Sequence, residues 1–404
     1  DPDGDPITFE WDFDADGIFS EDPDDSYSGA PENPTHGFTS TNKDKVYVKV
    51  KDDKGGESIC DVDVDITAWP SKNIDISYSG ANARDIAVDH SNGDLLALYS
   101  NGKVRRYTYD GGYVNSTEFS VNSGHLYIDI GPVDDLHSQA YIIVGRYITY
   151  PSFPTVYLDH LDANGTLQYG QAEGFGCTQP GDGIVLKDVF AMGSNGVRKY
   201  AQISVEYWDA YGSAGPWKGA HILGREYTGT PPYSTYNYYI NYIQWGQANP
   251  SGTSVYGPWI RGAESDRDGD WVWYVEATDC TASRWSIPDH SVMQGSYYSY
   301  AGPYFGTPGT PGDQNDRIND PLDITRDSDN HNYILDHLST GDYIIKAFTF
   351  TSTTTTAVGG FGDSGDWNLT PARIEGSDFN GNIVLLHTNV NDAMVSVFTE
   401  SETP

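Results

Sequence analysis

The sequence has few basic residues and few cysteines, and it contains no long apolar run. Its 404 residues include 23 Lys and Arg against 58 Asp and Glu, which gives a net charge of −35. Such a surface repels nucleic acid and anionic lipid, so we expect neither as a partner. No stretch of about 18 apolar residues occurs, so we expect no membrane insertion. The negative charge instead favours the binding of divalent cations.

Three cysteines, Cys60, Cys177 and Cys280, lack the CxxC spacing of a cysteine-rich zinc site or a c-type haem. One pair is expected to form a disulfide. We favour Cys177 with Cys280 because Cys60 lies in a different region, but the sequence leaves the pairing open. No signal peptide is visible, and the abrupt start at Asp1 suggests a processed or partial product.

Three N-x-S/T sequons fit a secreted glycoprotein, and together with the acidic composition they predict an extracellular or cell-surface location. The predicted glycosylation sites are Asn115, Asn164 and Asn368.

Stretches rich in Ala, Leu, Glu and Lys, which favour helices, are scarce. Val, Ile, Thr and Tyr favour pleated sheet, whereas the abundant Asp, Asn and Gly favour turns. The composition therefore predicts an all-β chain.

Residues 1–67 read as short alternating strands. "KVYVKVKD" (45–52) and "ESICDVDVDI" (57–66) flank a "DKGG" turn, which predicts a hairpin with Ile59 among its core residues. With "DPDGDPITFEWDFDADGIF" before them, these segments resemble a PKD domain, an immunoglobulin-like β-sandwich common in cell-surface proteins. The resemblance implies that Trp11 and Phe13 pack on one face while Asp12 points outward.

The resemblance is incomplete, because the family has strands before "DPDGD" and a full sandwich needs about 100 residues. Either those strands lie in sequence that precedes Asp1, or another chain supplies one. An incomplete sandwich presents an unpaired edge that can pair with a further strand.

After a short linker at 68–72, residues 73–404 show a repeated pattern of strand, Asx-Gly turn and strand. Repeats of about 40 to 60 residues are typical of β-propeller blades. The six predicted inner strands centre on Ile86, Ile128, Val189, Ile260, Ile324 and Ile374. The last blade shows three strands, so we expect "NIDISYS" (73–79) to complete it and close the ring. The clearest repeats resemble NHL-type six-bladed propellers, a likeness that implies a fold much more than an activity.

Acidic turns supply candidate calcium ligands, because carboxylates at alternate positions can converge on one hard cation. The turn after "WDF" fits the start of a D-x-D-x-D-G loop, but Pro23 stands where an EF-hand needs glutamate. Asx turns provide the structural alternative for these runs and for "DSDNHN" (327–332). The candidate ligands are Asp12, Asp14, Asp16, Asp266, Asp268 and Asp270.

Four charged residues occupy matching positions beside the predicted inner strands: Asp85, Asp188, Asp323 and Arg373. Three carboxylates around one axis can hold a metal, or they can cap the strand starts. No HExxH motif, G-x-S-x-G elbow or other nucleophile pattern occurs, so no residue is assigned a catalytic role.

Tyrosine is abundant, with 30 residues, and is concentrated in segments 233–245 and 295–313. Tyrosine supplies contact area at interfaces, stacks on glycans, or replaces Leu and Phe in β-cores. The candidate interface residues are Tyr236, Tyr238, Tyr239, Tyr242, Tyr297, Tyr298 and Tyr300.

The sequence thus predicts an all-β protein with an incomplete immunoglobulin-like sandwich followed by a six-bladed propeller. We expect a structural or adhesive role in a cell-surface layer or extracellular filament, stabilised by calcium and by self-association or contact with other surface proteins. The alternatives are a secreted propeller enzyme acting on glycans or lactones, and a glycan-binding lectin.

Overall fold

In a computed structural model the chain forms two compact units, which we call the N-terminal unit (residues 1–69 with 401–404) and the ring unit (residues 70–400). The structure describes residues 6–13, 19, 28–30, 33–35, 45–63, 72–131, 141–149, 154–173, 183–192, 199–209, 217–228, 235–237, 260–265, 271–277, 280–286, 305–307, 309–327, 331–350, 355–361, 370–377, 381–389 and 392–398. The described secondary structure is β-strand apart from one 3-10 turn at Asn115–Thr117, which confirms the all-β prediction. None of the described residues forms a helix long and apolar enough to span a membrane.

The N-terminal unit contains a three-stranded antiparallel sheet in the order β1-β4-β5 and a two-stranded hairpin, β2-β3. The strands are β1 (Ile7–Asp12), β2 (Ser28–Ala30), β3 (Asn33–Thr35), β4 (Lys45–Asp52) and β5 (Glu57–Asp63). The predicted "DKGG" hairpin joins β4 to β5. Asp52 shapes its turn, because Oδ1 accepts hydrogen bonds from the N–H groups of Lys54 at 2.9 Å and Gly56 at 2.7 Å.

Side-chain burial in this unit corrects two expectations. Trp11 and Phe13 stack as predicted, with ring centroids 5.5 Å apart. Asp12 does not face outward but is 1% exposed, and because successive strand residues point to opposite faces, both sides of the sheet are covered at this end. Ile59 is not a core residue, since it is 52% exposed on the edge strand β5.

The described residues of the ring unit form six four-stranded antiparallel sheets, which we call blades 1 to 6. Its strands are β6 (Lys72–Asp75), β7 (Ala83–Val88), β8 (Leu95–Tyr99), β9 (Lys103–Tyr107), β10 (Phe119–Ser120), β11 (His125–Gly131), β12 (Tyr141–Thr149), β13 (Pro154–Asp162), β14 (Leu167–Glu173), β15 (Gly183–Met192), β16 (Lys199–Asp209), β17 (Trp217–Thr228), β18 (Thr235–Asn237), β19 (Ile260–Ser265), β20 (Trp271–Glu276), β21 (Thr281–Ser286), β22 (Phe305–Gly306), β23 (Asp320–Arg326), β24 (His331–His337), β25 (Tyr343–Phe350), β26 (Thr355–Phe361), β27 (Thr370–Gly376), β28 (Ile383–Thr388) and β29 (Ala393–Phe398). Blades 1 to 5 are β7–β10, β11–β14, β15–β18, β19–β22 and β23–β26, and blade 6 is β27, β28, β29 and β6.

The blades form a closed propeller. The innermost strands β7, β11, β15, β19, β23 and β27 each contact the next, and β27 contacts β7. Strand β6, from the start of the unit, pairs with β29, with Ile74 opposite Val395. This pairing confirms the predicted ring closure, which joins the two ends of the unit in one sheet.

The core lies between successive blades. One apolar cluster joins blades 6 and 1 and includes Ile74, Ile86 and Val395. Another joins blades 1 and 2. Strand β8, "LLALY", is buried along its whole length because neighbouring blades cover both of its faces. A fully buried Leu contributes about 1.5–3 kcal/mol, so these blade contacts supply much of the stability of the unit.

Candidate functional site

A β-bulge interrupts the inner strand of every blade at the same register, next to the ring axis. An extra residue at a bulge turns its side chain away from the regular strand direction. The register shifts place these extra residues at Arg84, Leu126, Lys187, Arg261, Leu322 and Ala372.

The residue after each bulge points to the axis. In blades 1, 3 and 5 it is an aspartate, and in blades 2, 4 and 6 it is Tyr127, Gly262 and Arg373. The axis is crowded here, because a Cβ on Gly262 would lie 2.2 Å from Oδ1 of Asp323. Glycine at this position therefore lets blade 4 approach blade 5.

Buried carboxylates on the axis connect each of several blades to the following one. Oδ2 of Asp85 accepts a hydrogen bond from the Ile128 N–H at 2.8 Å, and Oδ2 of Asp188 accepts one from Ala263 at 2.9 Å. Asp323 accepts from Ile374 at 3.1 Å. The same arrangement links blade 2 to blade 3.

In that link the Asp129 carboxylate accepts a hydrogen bond from the N–H of Ala191. Asp129 lies two residues after Tyr127, so it faces the axis one layer deeper than the aspartates of blades 1, 3 and 5. Each of these interactions joins a side chain of one inner strand to the backbone of the next.

Arg373 is the cation of this layer. Its Nε lies 3.5 Å from Oδ1 of Asp85 and its Nη1 lies 3.7 Å from Oδ1 of Asp323. Its Nη2 donates to the Lys187 carbonyl at 3.2 Å, and the guanidinium stacks over the Tyr127 ring at 4.5 Å. One side chain thus contacts inner strands from four other blades.

Burial is the largest influence on the pKa values of the axial aspartates. It raises the pKa of Asp85 to about 7, although the Arg373 charge opposes it. Burial also raises the pKa of Asp188 well above its usual value. Burial lowers the pKa of Arg373, but the charges of Asp323 and Asp188 outweigh that effect and keep the guanidinium protonated.

The deeper layer carries three carboxylates from blades 2, 4 and 6: Asp129, Glu264 and Glu375. Burial raises the pKa of Asp129 to about 7. Burial and the Asp129 charge raise the pKa values of Glu264 and Glu375 well above the usual glutamate value. Simultaneous ionisation of the three carboxylates in this layer is therefore unfavourable.

An opening of about 420 Å³, which we call the axial cavity, lies over the bulges. The six bulge residues surround it together with Tyr127 and Arg373. Cationic and apolar side chains thus share one concave surface at the end of the axis where the inner strands begin.

The structure brings together the four axial residues that the sequence suggested, Asp85, Asp188, Asp323 and Arg373. The aspartates do more than cap their own strands, and they are not arranged as a metal-binding cluster. Each bonds the backbone of the next blade, and among the described residues no three His, Cys, Asp or Glu side chains are grouped to hold a metal ion.

Sequence reasoning missed the deeper carboxylates and the bulge cations. The signal for Asp129, Glu264 and Glu375 was their position two residues after the aligned axial residues, on the same strand face. The signal for Arg84, Lys187 and Arg261 was that each immediately precedes one of the aligned axial residues. The bulge then turns these side chains toward the cavity.

The calcium candidates lie mostly outside the described residues. Asp14 and Asp16 are outside them, as are Asp266, Asp268 and Asp270. The related turn at Asp327 is described, and its carboxylate accepts hydrogen bonds from the His331 N–H at 2.9 Å and the Tyr333 hydroxyl at 2.8 Å. That aspartate shapes a turn, as the structural alternative predicted.

Two of the three sequons are described. Asn115 and Asn164 are exposed, the first in the 3-10 turn and the second in the turn between β13 and β14, whereas Asn368 lies outside the described residues. Of the interface tyrosines, the backbone of Tyr236 belongs to β18, and the others lie outside the described part of the chain, as does Cys177. Fully buried tyrosines do serve as core residues here: Tyr99, Tyr274 and Tyr333.

Comparison with known proteins identifies no family for this chain. No protein family and no curated protein matches the sequence. A solved structure similar to this chain is the Cps50 (Swd1) β-propeller domain of Myceliophteria thermophila, at 8% identity and a TM-score of 0.46, covering 82% of this chain and 99% of that one. A second is the WD40 repeats of RRP9, at 8% identity and a TM-score of 0.44, covering 83% and 100%. The ring unit is a β-propeller by its own sheet topology, and these similarities carry no further conclusion.

Proposed function

We propose that the protein is a structural subunit of an extracellular or cell-surface assembly. In this proposal the N-terminal unit is an immunoglobulin-like domain of the PKD type that joins one molecule to the next. The propeller is a rigid body carried by that junction, and calcium stabilises the contact.

The observation that carries the proposal is the open edge of the N-terminal sheet. Among the described strands, β5 pairs with β4 on one side and with none on the other. Residues 57–61 are all exposed, and Ile59 presents 52% of its surface to solvent. An exposed edge strand with an apolar side chain is a template for pairing with a strand of a second copy.

The charge of β5 connects this pairing to calcium. The strand carries Glu57, Asp61 and Asp63, so two acidic edges repel each other when they meet. Divalent cations between the carboxylates remove that repulsion, and hard cations prefer oxygen ligands. We therefore propose that association depends on calcium, with Asp14, Asp16 and the acidic turn at 266–270 as further calcium ligands. Asp12 is left out because its side chain is buried at the end of β1.

The propeller axis supports a structural role for the ring. The axial aspartates contribute their oxygens to backbone hydrogen bonds between blades, and Arg373 bridges the first and fifth blades. These interactions fix the blades relative to one another. The exposure of Asn115 and Asn164 fits glycosylation of the propeller surface, and the tyrosine-rich segments 233–245 and 295–313 are proposed as further subunit contacts.

A pair of matched substitutions tests the proposal. Ile59→Asp adds a charge to the exposed edge of β5, and Leu167→Asp adds the same charge at a 58% exposed leucine of the ring unit. Sedimentation velocity in calcium and reducing agent should show association of the Leu167→Asp variant and a monomer for Ile59→Asp. Equal association of the two variants would overturn the proposed junction.

A further inference from the structure

The axial cavity gathers positive charge in a strongly acidic protein. Of the eight described residues that line it, four are cationic, Arg84, Lys187, Arg261 and Arg373, and none is acidic. The chain has only 23 Lys and Arg in 404 residues and a net charge of −35. The residues around this opening are therefore positively charged, whereas the molecule as a whole is strongly negative.

Arg84 is held at the rim of the cavity by the neighbouring blade. Its Nη1 donates to the carbonyl oxygens of Ser123 at 2.7 Å and His125 at 2.6 Å. These bonds involve one nitrogen of a guanidinium that has five N–H donors in all. Arg84 is thereby fixed in place, and no other described residue accepts a hydrogen bond from it, so part of its donor capacity is proposed to serve a ligand.

Arg261 belongs to blade 4, which lies opposite blade 1 in a ring of six. Among the described residues, Arg261 forms an ion pair with Asp320 at 3.8 Å, and both side chains are more than 40% exposed, at 42% and 43%. Exposed pairs at this separation are weak. Like charges from opposite blades thus face one opening, and an anion between them relieves their repulsion.

Apart from the four cations and Tyr127, the described residues that line the cavity are apolar. Leu126, Leu322 and Ala372 come from blades 2, 5 and 6, whereas the bulge cations come from blades 1, 3 and 4. The volume of about 420 Å³ falls within the range of about 300 to 1,000 Å³ found for small-molecule sites. The lining therefore matches a small ligand with an anionic end and an apolar body.

We propose that the axial cavity binds a small organic oxyanion, with Arg84, Lys187 and Arg261 contacting its carboxylate or phosphate group. Arg373 forms the floor and adds positive charge, while its own carboxylate partners hold it in position. The apolar bulge residues contact the body of the ligand. This site is independent of the proposed assembly role, because it lies wholly within the ring unit.

Calorimetry on the full chain at low ionic strength tests the site with matched probes. Benzoate and phenyl phosphate carry the two oxyanions on the same aromatic body, and benzyl alcohol is their uncharged match. We expect saturable binding of at least one of the anions, weakened by added salt, and none of benzyl alcohol. Comparing the two anions identifies which oxyanion the site prefers. Absence of saturable binding by both anions would overturn the proposal.

Substitutions then locate the binding. Arg261→Gln removes one charge from an exposed position, so the fold is expected to persist, and the affinity should fall about tenfold. Arg261→Lys should retain most of the affinity. Lys54→Gln, on an exposed turn of the N-terminal unit, removes the same charge and should leave binding unchanged. Equal affinities of Arg261→Gln and Lys54→Gln would place the binding elsewhere and contradict the assignment.

Discussion

The Arg373 guanidinium in blade 6 lies 3.5 Å from the Asp85 carboxylate in blade 1, and thus joins the last inner strand of the ring to the first. Asp85 in turn accepts a hydrogen bond from Ile128 in blade 2. The ring is therefore closed twice, at its outer side by the pairing of β6 with β29 and at its axis by this ion pair.

Removing the Asp323 carboxylate should destabilise the propeller strongly. Asp323→Ala deprives the Ile324 and Ile374 N–H groups of their acceptor and leaves Arg373 without one of its two nearest carboxylates. Loss of one partner from a buried pair costs about 3–5 kcal/mol. Chemical denaturation should show this loss for Asp323→Ala and a smaller one for Asp323→Asn, which keeps an acceptor oxygen. The exposed Asp316→Ala should change stability by less than about 0.5 kcal/mol.

The raised pKa of Asp129 predicts that this residue makes stability fall as pH rises. Burial raises its pKa from 3.8 to about 7, so between these values the folded state holds a proton that the unfolded state has lost. Stability is therefore greatest below about pH 4 for this group and decreases up to pH 7, by at most about 1.4 kcal/mol per pH unit. Urea midpoints across this range should fall more steeply for the unaltered chain than for Asp129→Asn. Parallel slopes would show that Asp129 ionises normally.

Lys346 and Asp336 should be strongly coupled. Their side chains are fully buried, with Nζ 2.7 Å from Oδ2, and Nζ also donates to the carbonyls of Gly312 and Arg317. Lys346→Met leaves the buried Asp336 carboxylate with its backbone hydrogen bonds from Asn319 and Asp320 but without its cation, and should cost about 3–5 kcal/mol. A double-mutant cycle with Asp336→Asn measures the coupling. We expect the double variant to lose less stability than the sum of the single losses, and simple additivity would contradict the pairing.

Ring closure by β6 can be tested with one core truncation. Ile74 is 3% exposed and packs between blades 6 and 1. Ile74→Ala should reduce the free energy of unfolding by about 2–4 kcal/mol and speed amide exchange along β29. Leu167→Ala, at a 58% exposed position of the same unit, should do neither.

The repeated blade pattern made the inner strands predictable from the sequence, because apolar strands and Asx-Gly turns are local signals. Five of the six predicted centres follow an axial residue directly, but in blade 4 that place belongs to Ala263, not Ile260. The bulge itself occurs in every blade, so it does not explain this difference. In blade 4 the axial residue is Gly262 and the residue after it is only alanine, so the larger apolar residue Ile260 placed the predicted centre three residues too early.

Comparing the blade sequences was enough to locate the axial residues. It could not show that the axial aspartates bond to the backbone of the next blade. Asp85 and Asp323 align with each other in the sequence, whereas their hydrogen-bond donors in the next blade lie 43 and 51 residues further on. Which backbone N–H faces each carboxylate depends on how the next blade packs. Likewise, burial of Asp12 and exposure of Ile59 depend on which sheet faces are covered, and alternation along one strand does not reveal that.

The central claim, calcium-dependent association, is tested most directly by the molar mass of the unaltered chain in solution. Light scattering should be measured in calcium and again after removal of calcium with EDTA. We expect a mass several times the 44.4 kDa of one chain in calcium, falling to 44.4 kDa in EDTA. A mass of 44.4 kDa in both conditions would contradict the proposed role.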